Sequence, residues 1–293
     1  MPPTTPITVD EICRRYLAGE NTTEIAATIG LDRSTVHYWL CKQGVPRRSN
    51  SAAKRRYTLR EDAFSTIRDE PTAYWLGFLF ADGTVTIRKS GAEKAIRLLL
   101  KTSDCEHLAK FAAFIGTNAP IRHARNSGSG AEEVTAYSPR MVDDLIRHGC
   151  VPNKSASLVF KVPAIELEMQ RHFIRGLWDG DGSAFVNRDG TPNLSLCGNS
   201  AMLDTIKELV LWHTGVNGNI RPHTISRAVE YLIYRGKSKA PVVGDWLYNE
   251  ATIFLLRKRR IANAFQRPKH YAGTVGHVSE TVVKKYIEDQ KGK

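Results

Sequence analysis

The chain has 293 residues, of which 42% are hydrophobic, so it can bury the cores of about two domains and is no disordered polymer. Lysine and arginine outnumber aspartate and glutamate by 42 to 30, a net charge of +12, and the resulting field favours a polyanionic partner, nucleic acid first. Cys13, Cys41, Cys105, Cys150 and Cys197 are scattered and form no Cys-x-x-Cys pair, which argues against a disulfide framework or a zinc site and fits a reducing compartment. No apolar run approaches the ~18 residues that span a bilayer, and the polar start Met1-Pro-Pro-Thr-Thr-Pro lacks a signal-peptide core. An intracellular location, cytoplasmic or nucleoid-associated, is expected, with no membrane partner.

From Val9 to Gly44 the pattern is helical, broken at Gly19-Glu20-Asn21 and at Gly30-Leu31-Asp32, which predicts three short helices. Thr22 or Thr23 is expected to cap the second and Asp32 the third. Ile12, Leu17, Ile25, Ala26, Ile29, Leu31, Val36, Trp39 and Leu40 recur at helical spacing, enough for a miniature core. The segment resembles a helix-turn-helix module, with Ala26 at the crossing and Gly30 in the turn. The resemblance implies that the third helix presents Arg33, Ser34, Thr35, His37 and Tyr38 to a major groove, although such three-helix units also serve protein contacts. Residues 1–46 are taken as this domain and 47–69 as a basic linker, whose Arg47, Arg48, Arg55 and Arg56 are expected on phosphates or in a minor groove.

Next come two imperfect copies of one segment, Tyr74-Trp75-Leu76-Gly77-Phe78-Leu79-Phe80-Ala81-Asp82-Gly83 and Phe173-Ile174-Arg175-Gly176-Leu177-Trp178-Asp179-Gly180-Asp181-Gly182. Each is an apolar helical run ending in an acid and a glycine. The downstream pattern repeats too. After the first copy, strands are predicted over 84–89, 95–101, 120–125 and 133–137, with helices over 104–115 and 141–148. After the second, strands fall at 183–187, 193–197, 219–225 and 229–235, with helices at 201–214 and 242–249. The fold class expected is α+β, with two αββαββα repeats at 70–162 and 163–270 and a C-terminal tail at 271–293.

Small residues fall at i and i+4 in both copies, Gly77 with Ala81 and Gly176 with Gly180, so each helix has one bare face. Packing through those faces would bring the helix axes close and place Asp82 and Asp181 together at one pole. Two carboxylates at helix C-termini repel unless a cation intervenes. Carboxylates, carbonyls, water and a phosphate make the oxygen environment that Mg2+ prefers, and two such ions flanking a phosphodiester can activate water and stabilise the leaving oxygen.

These residues resemble the LAGLIDADG homing endonucleases, in the single-chain form with two motif copies, over roughly residues 70–267. The second copy fits the family pattern well, with Arg175 in place of a usually small or apolar residue; the first departs more, with Phe80 where the family often has an acid. The resemblance implies two pseudo-symmetric repeats with saddle-shaped antiparallel sheets over the DNA major groove, and active sites at the motif helix ends. The metal ligands implied are Asp82 and Asp181 with Ala81 and Gly180; Mg2+ is expected, with Mn2+ and Ca2+ fitting the same sites. The family also uses basic residues near the scissile phosphates, placed here at Lys154 and Lys258.

Strand alternation puts Thr84, Thr86 and Arg88 on one face, as it does Ser183, Phe185 and Asn187. Arg97, Arg122, Arg125, Arg221, His223 and Arg235 are further groove-facing candidates for base edges and phosphates.

Asp179-Gly180-Asp181-Gly182 is no EF-hand loop, because Ala184 and Gly190 stand where that loop needs glycine and glutamate. The expected activity is therefore site-specific, metal-dependent double-strand cleavage at a long asymmetric DNA target by a monomer. The competing reading is a scaffold of the same kind that binds without cutting, as a transcription regulator or an intron RNA maturase. Regulators of this kind commonly lose the motif acids, and this chain has both. A helix-turn-helix close to Met1, with no splice-junction residues evident, suggests a free-standing protein.

Overall fold

The computed structural model describes residues 6–46, 57–88, 93–124, 130–153, 162–223 and 229–265. The chain divides into two compact units, Met1–Arg56 and Tyr57–Lys293.

The first unit holds helices α1 (Pro6–Leu17), α2 (Thr22–Ile29) and α3 (Arg33–Lys42). Asn21, rather than either threonine, caps α2: its Oδ1 accepts from the Thr23 and Glu24 amides at 3.0 and 2.9 Å, and Glu24 reaches back to the Asn21 amide. Asn21 is extended while Thr22 and Thr23 are already helical, and only the residue before the first turn has free amides ahead of it. Asp32 caps α3 as expected, accepting from the Ser34 amide at 2.7 Å. Gly30 ends α2 at φ +68, the left-handed conformation that glycine adopts without penalty. Ile12, Tyr16, Ile25, Ala26, Val36 and Leu40 form the core, with Ile29, Leu31 and Trp39 packed at its edge. Leu17 is excluded: it is 70% exposed, and Tyr16, one residue earlier on the helix, turns inward instead.

The second unit begins earlier than the proposed linker would allow. Residues 57–69 pack onto the first repeat through Phe64, which is fully buried with Ala63 and Ile67. The Arg60 amide donates to Ile115 O at 2.8 Å, and Thr58 and Asn118 exchange hydrogen bonds at 2.8 and 3.1 Å. The dense run of basic residues ends at Arg56, and the apolar anchors Ala63, Phe64 and Ile67 follow it.

Helix α4 (Glu70–Ala81) opens with Asp69 as its cap and Pro71 in the first turn, and Thr72 to Phe80 are all buried, as expected of a helix enclosed on every side. It leads into β1 (Gly83–Ile87) and β2 (Lys94–Lys101), then α5 (Cys105–Phe114), β3 (Arg122–His123), β4 (Ala131–Tyr137) and α6 (Pro139–Arg147). Helix α7 (Leu167–Asp181) begins the same sequence again, with β5 (Gly182–Val186), β6 (Pro192–Gly198), α8 (Ser200–Thr214), β7 (Asn219–Pro222), β8 (Glu230–Arg235) and α9 (Ala240–Tyr248). A further helix, α10 (Leu256–Asn263), ends the described chain.

The two sheets are antiparallel and four-stranded, ordered β1-β2-β4-β3 and β5-β6-β8-β7. Val85, Ile96, Leu98, Leu100, Val134 and Ala136 line the core side of the first, and Leu194, Leu196, Leu232 and Tyr234 that of the second. The ladders of β3 and β7 pair through His123 and Pro222, and one step beyond them the Ala124 and His223 amides donate to Ala131 O and Val229 O at 2.8 and 3.0 Å; residues 125 and 224–225 of the predicted strands lie outside the described residues. Arg88 and Asn187 fall just beyond β1 and β5.

Candidate active site and nucleic-acid interface

Helices α4 and α7 approach closely because glycine stands at the contact. A methyl group on Gly77 would lie 1.9 Å from Phe173 O, one on Gly176 would lie 2.0 Å from Tyr74 O, and one on Gly180 would lie 2.2 Å from Ala81 Cβ. The two bare faces predicted from Gly77, Ala81, Gly176 and Gly180 are therefore where the helices meet. The same hypothetical methyl on Gly180 sits 3.4 Å from Asp82 Oδ2, so the acid ending α4 lies beside the last turn of α7. Asp82 and Asp181 are both solvent-exposed.

Lys258 of α10 marks the same junction. Its side chain is buried, and Nζ donates to Trp178 O, Asp179 O and Gly180 O at 2.8, 2.6 and 3.0 Å. A lysine here satisfies the carbonyls that the last turn of a helix leaves open and opposes the negative end of its dipole. Burial pulls the ammonium down to about 8, against the opposing fields of Asp179, Asp82 and Asp181. Lys258 thus feels both motif acids, yet all three of its N–H bonds are taken by carbonyls. Its counterpart Lys154 lies outside the described residues. At the end of α4, the buried Cys150 thiol approaches Leu79 O at 3.7 Å.

A buried polar network, which the sequence did not announce, holds the two motif helices in register. The Asp179 carboxylate accepts from Tyr74 Oη at 2.8 Å, Tyr248 Oη at 2.6 Å and the Leu255 amide at 2.7 Å. Burial pushes its carboxyl up, and Tyr248, Leu255, Lys258 and Tyr74 oppose that shift. The guanidinium of Arg175, fully buried, pairs with Glu70 and donates to Ile253 O at 3.0 Å and Leu247 O at 3.2 Å. Burial alone would raise the Glu70 carboxyl, but Arg175 and the Thr252 and Ile253 amides hold it below the usual carboxylate range. The one visible signal was Arg175 itself, a charge in an apolar motif. Where α7 has Asp179, α4 has Phe80, which packs edge-on against Phe173 with ring centroids 5.2 Å apart.

Among the described residues no group of three or more His, Cys, Asp or Glu side chains converges. The junction therefore offers two carboxylates and the carbonyls of Ala81 and Gly180. That donor set suits a hard divalent cation that keeps waters and takes phosphate oxygens, and it suits no cation needing a complete protein cage. The Gly180 carbonyl already accepts from Lys258, which leaves one lone pair for such an ion.

The register of each sheet fixes which residues share its outer face. On the first, Thr84 lies opposite Arg97 and Arg97 opposite Thr135, while Arg122 lies opposite Glu133. Thr86 is exposed on that face. On the second, Ser183 lies opposite Ser195 at 2.7 Å between hydroxyls, Phe185 opposite Asn193, Asn193 opposite Arg235, and Arg221 opposite Tyr231. His223 stacks on Tyr231 with centroids 5.1 Å apart. Arg88 pairs with Glu93 at 3.1 Å, and the Asn187 side chain donates to Thr191 O at 3.0 Å, so both fasten hairpin ends. In α3, Arg33, Ser34 and Tyr38 are exposed, and Thr35 and His37 are half-buried. Arg47, Arg48, Arg55, Arg56 and Arg125 lie outside the described residues.

No helix of the described residues is long and apolar enough to cross a membrane. No curated protein matches the chain. The I-LtrWI LAGLIDADG homing endonuclease bound to target DNA is similar at 13% identity, covering 78% of this chain and 96% of that one, with a TM-score of 0.46. The LAGLIDADG homing endonuclease I-GzeII in complex with its DNA target gives 12%, 75%, 97% and 0.45, and I-DmoI in complex with DNA and Ca gives 18%, 59%, 83% and 0.41. Residues 168–241, from the first turn of α7 through β8 to the start of α9, match the family model described as the LAGLIDADG-like domain.

Proposed function

We propose that the protein is a site-specific, divalent-metal-dependent double-strand DNA endonuclease of the homing type. One observation carries this reading: glycine-mediated packing of α4 on α7 ends both helices at one junction, with an exposed carboxylate from each. Asp82 and Asp181, with the carbonyls of Ala81 and Gly180, are the proposed ligands. A divalent ion bound there would supply an activated water and offset charge on the leaving oxygen. The chain's own part is placement. Lys258 fixes the last turn of α7, the Asp179 network locks α7 to α4 and α9, and the outer faces of the two sheets hold and read the duplex. Their candidate contacts are Thr84, Thr86, Arg97, Arg122, Ser183, Arg221, His223 and Arg235. The unit of α1 to α3 is proposed as a helix-turn-helix that extends the footprint through Arg33, Ser34, Thr35, His37 and Tyr38.

The two halves are proposed as pseudo-symmetric repeats in a monomer reading a non-palindromic target. Support comes from the identical strand order of the two sheets, whose outer faces carry different side chains. The test is incubation of the full chain with a randomised or genomic DNA library and Mg2+, followed by sequencing of the cut ends. Recurrent paired ends that vanish with EDTA support the reading. Selected binding without cutting, unaltered by Asp82→Asn or Asp181→Asn, would give the non-cleaving regulator instead.

A further inference from the structure

The outer face of the first sheet carries a carboxylate where a phosphate-facing surface should avoid one. Glu133 lies directly opposite Arg122 on β3 and Leu99 on β2, and its Oε2 is 3.5 Å from the Arg97 guanidinium. Its side chain is 25% exposed and that of Arg97 47%, so both remain within reach of a ligand on this face. The second sheet repeats the register, with Tyr231 opposite Arg221 on β7 and Cys197 on β6. Gly83 opposite Leu98 and Gly182 opposite Leu196 anchor the two registers one residue past each motif acid. Tyr231 therefore holds the place of Glu133, Arg221 that of Arg122, and Ser195 that of Arg97. The acid belongs to one half only.

We infer that Glu133 is a specificity-determining residue that accepts a hydrogen bond from the exocyclic amine of a cytosine in the half-site under the first sheet, flanked by Arg97 and Arg122. A carboxylate repels the backbone, so it adds nothing to general affinity. In the major groove its favourable partner is the N4 amine of cytosine, and arginine forks take guanine O6 and N7. Arg97 is held by Glu133 before any duplex arrives, which limits the freedom its fork must lose on reading a base. In the other half Tyr231 offers a phenol already stacked by His223, so the same row there sets no demand for cytosine.

The assignment rests on the DNA-reading role proposed above, and the test separates the two. Full-length protein selects duplexes from a randomised pool at fixed salt, with Ca2+ in place of Mg2+ to hold cleavage back. Wild type should yield a consensus; Glu133→Gln should lose the preference for one C·G pair by about 5- to 150-fold and leave the other positions intact. Glu132→Gln, the neighbouring acid that pairs with His123 on the other side of the strand, should leave the consensus unchanged. The inference falls if Glu133→Gln changes affinity equally at all positions or alters none. Failure of wild type to select any sequence overturns the DNA reading itself, and this inference with it.

Discussion

At the scale of single residues, the acids that end the motif helices were legible and the groups that hold them were not. Asp82 and Asp181 announce themselves because each closes an apolar run before glycine. Tyr248 bonds Asp179 and His107 bonds the Tyr74 hydroxyl from distant segments, which no local pattern announces, and the resemblance that named Lys258 did not say that it reaches the carbonyls of α7. Each of the two motif acids is expected to be needed: Asp82→Asn and Asp181→Asn should each lower double-strand cleavage by about three decades, the worth of several kcal/mol of charge stabilisation, with binding retained. Nicking and linearisation of a plasmid carrying the selected site read that out. Arg175→Met should cost about 3–5 kcal/mol in denaturant unfolding, because it strands Glu70 without its guanidinium. Adding Glu70→Gln to Arg175→Met should restore part of that stability. Buried His107 and half-buried His213 set an acid limit. Burial lowers His107 to about 3 and His213 to about 4, so the unfolded chain takes up protons near 6.5 that the folded chain refuses. Stability should be whole above that pH and fall as pH drops from 6.5 towards 4, by up to about 1.4 kcal/mol per pH unit for His107 and by less for His213, which solvent screens. Unfolding midpoints measured across that range check the sign.

At the scale of elements, α4 and α7 depend on the absence of side chains. Their period of small residues was visible in the sequence, and so was the consequence that the axes approach. Gly77→Ala and Gly176→Ala put a methyl group against a backbone carbonyl that cannot move aside as a flexible side chain would. Each should cost about 3 kcal/mol, the upper end for overpacking, and the effect should appear as a lower urea midpoint. Helix α10 went unpredicted because its sequence, Leu-Arg-Lys-Arg-Arg-Ile-Ala-Asn, has little apolar content. It is held by Ala262 and Ile261 against the core and by Lys258 reaching the α7 carbonyls, a bond made across the fold.

At the scale of the whole molecule, the boundary at Arg56 lets the proposed roles of the two units be tested apart. Removing residues 1–56 leaves Phe64 and its neighbours to cover the first repeat, so the remaining unit should keep its fold and its cleavage chemistry. Binding should weaken, and the slope of log affinity on log salt should shrink by about 0.9 for each phosphate that the shorter chain no longer neutralises. Equal slopes for the two proteins would assign α1 to α3 to another partner. By itself the sequence determined the repeated order of helices and strands, the bare helix faces and the acids that end the two helices, because these follow from residue spacing along a helix or strand. Only the tertiary structure decided that Lys258 caps α7, that Asp179 and Arg175 anchor a buried network, and that Glu133 faces Arg122. Those pairings join residues far apart in the chain, where periodicity carries no information and only the packed fold sets distance.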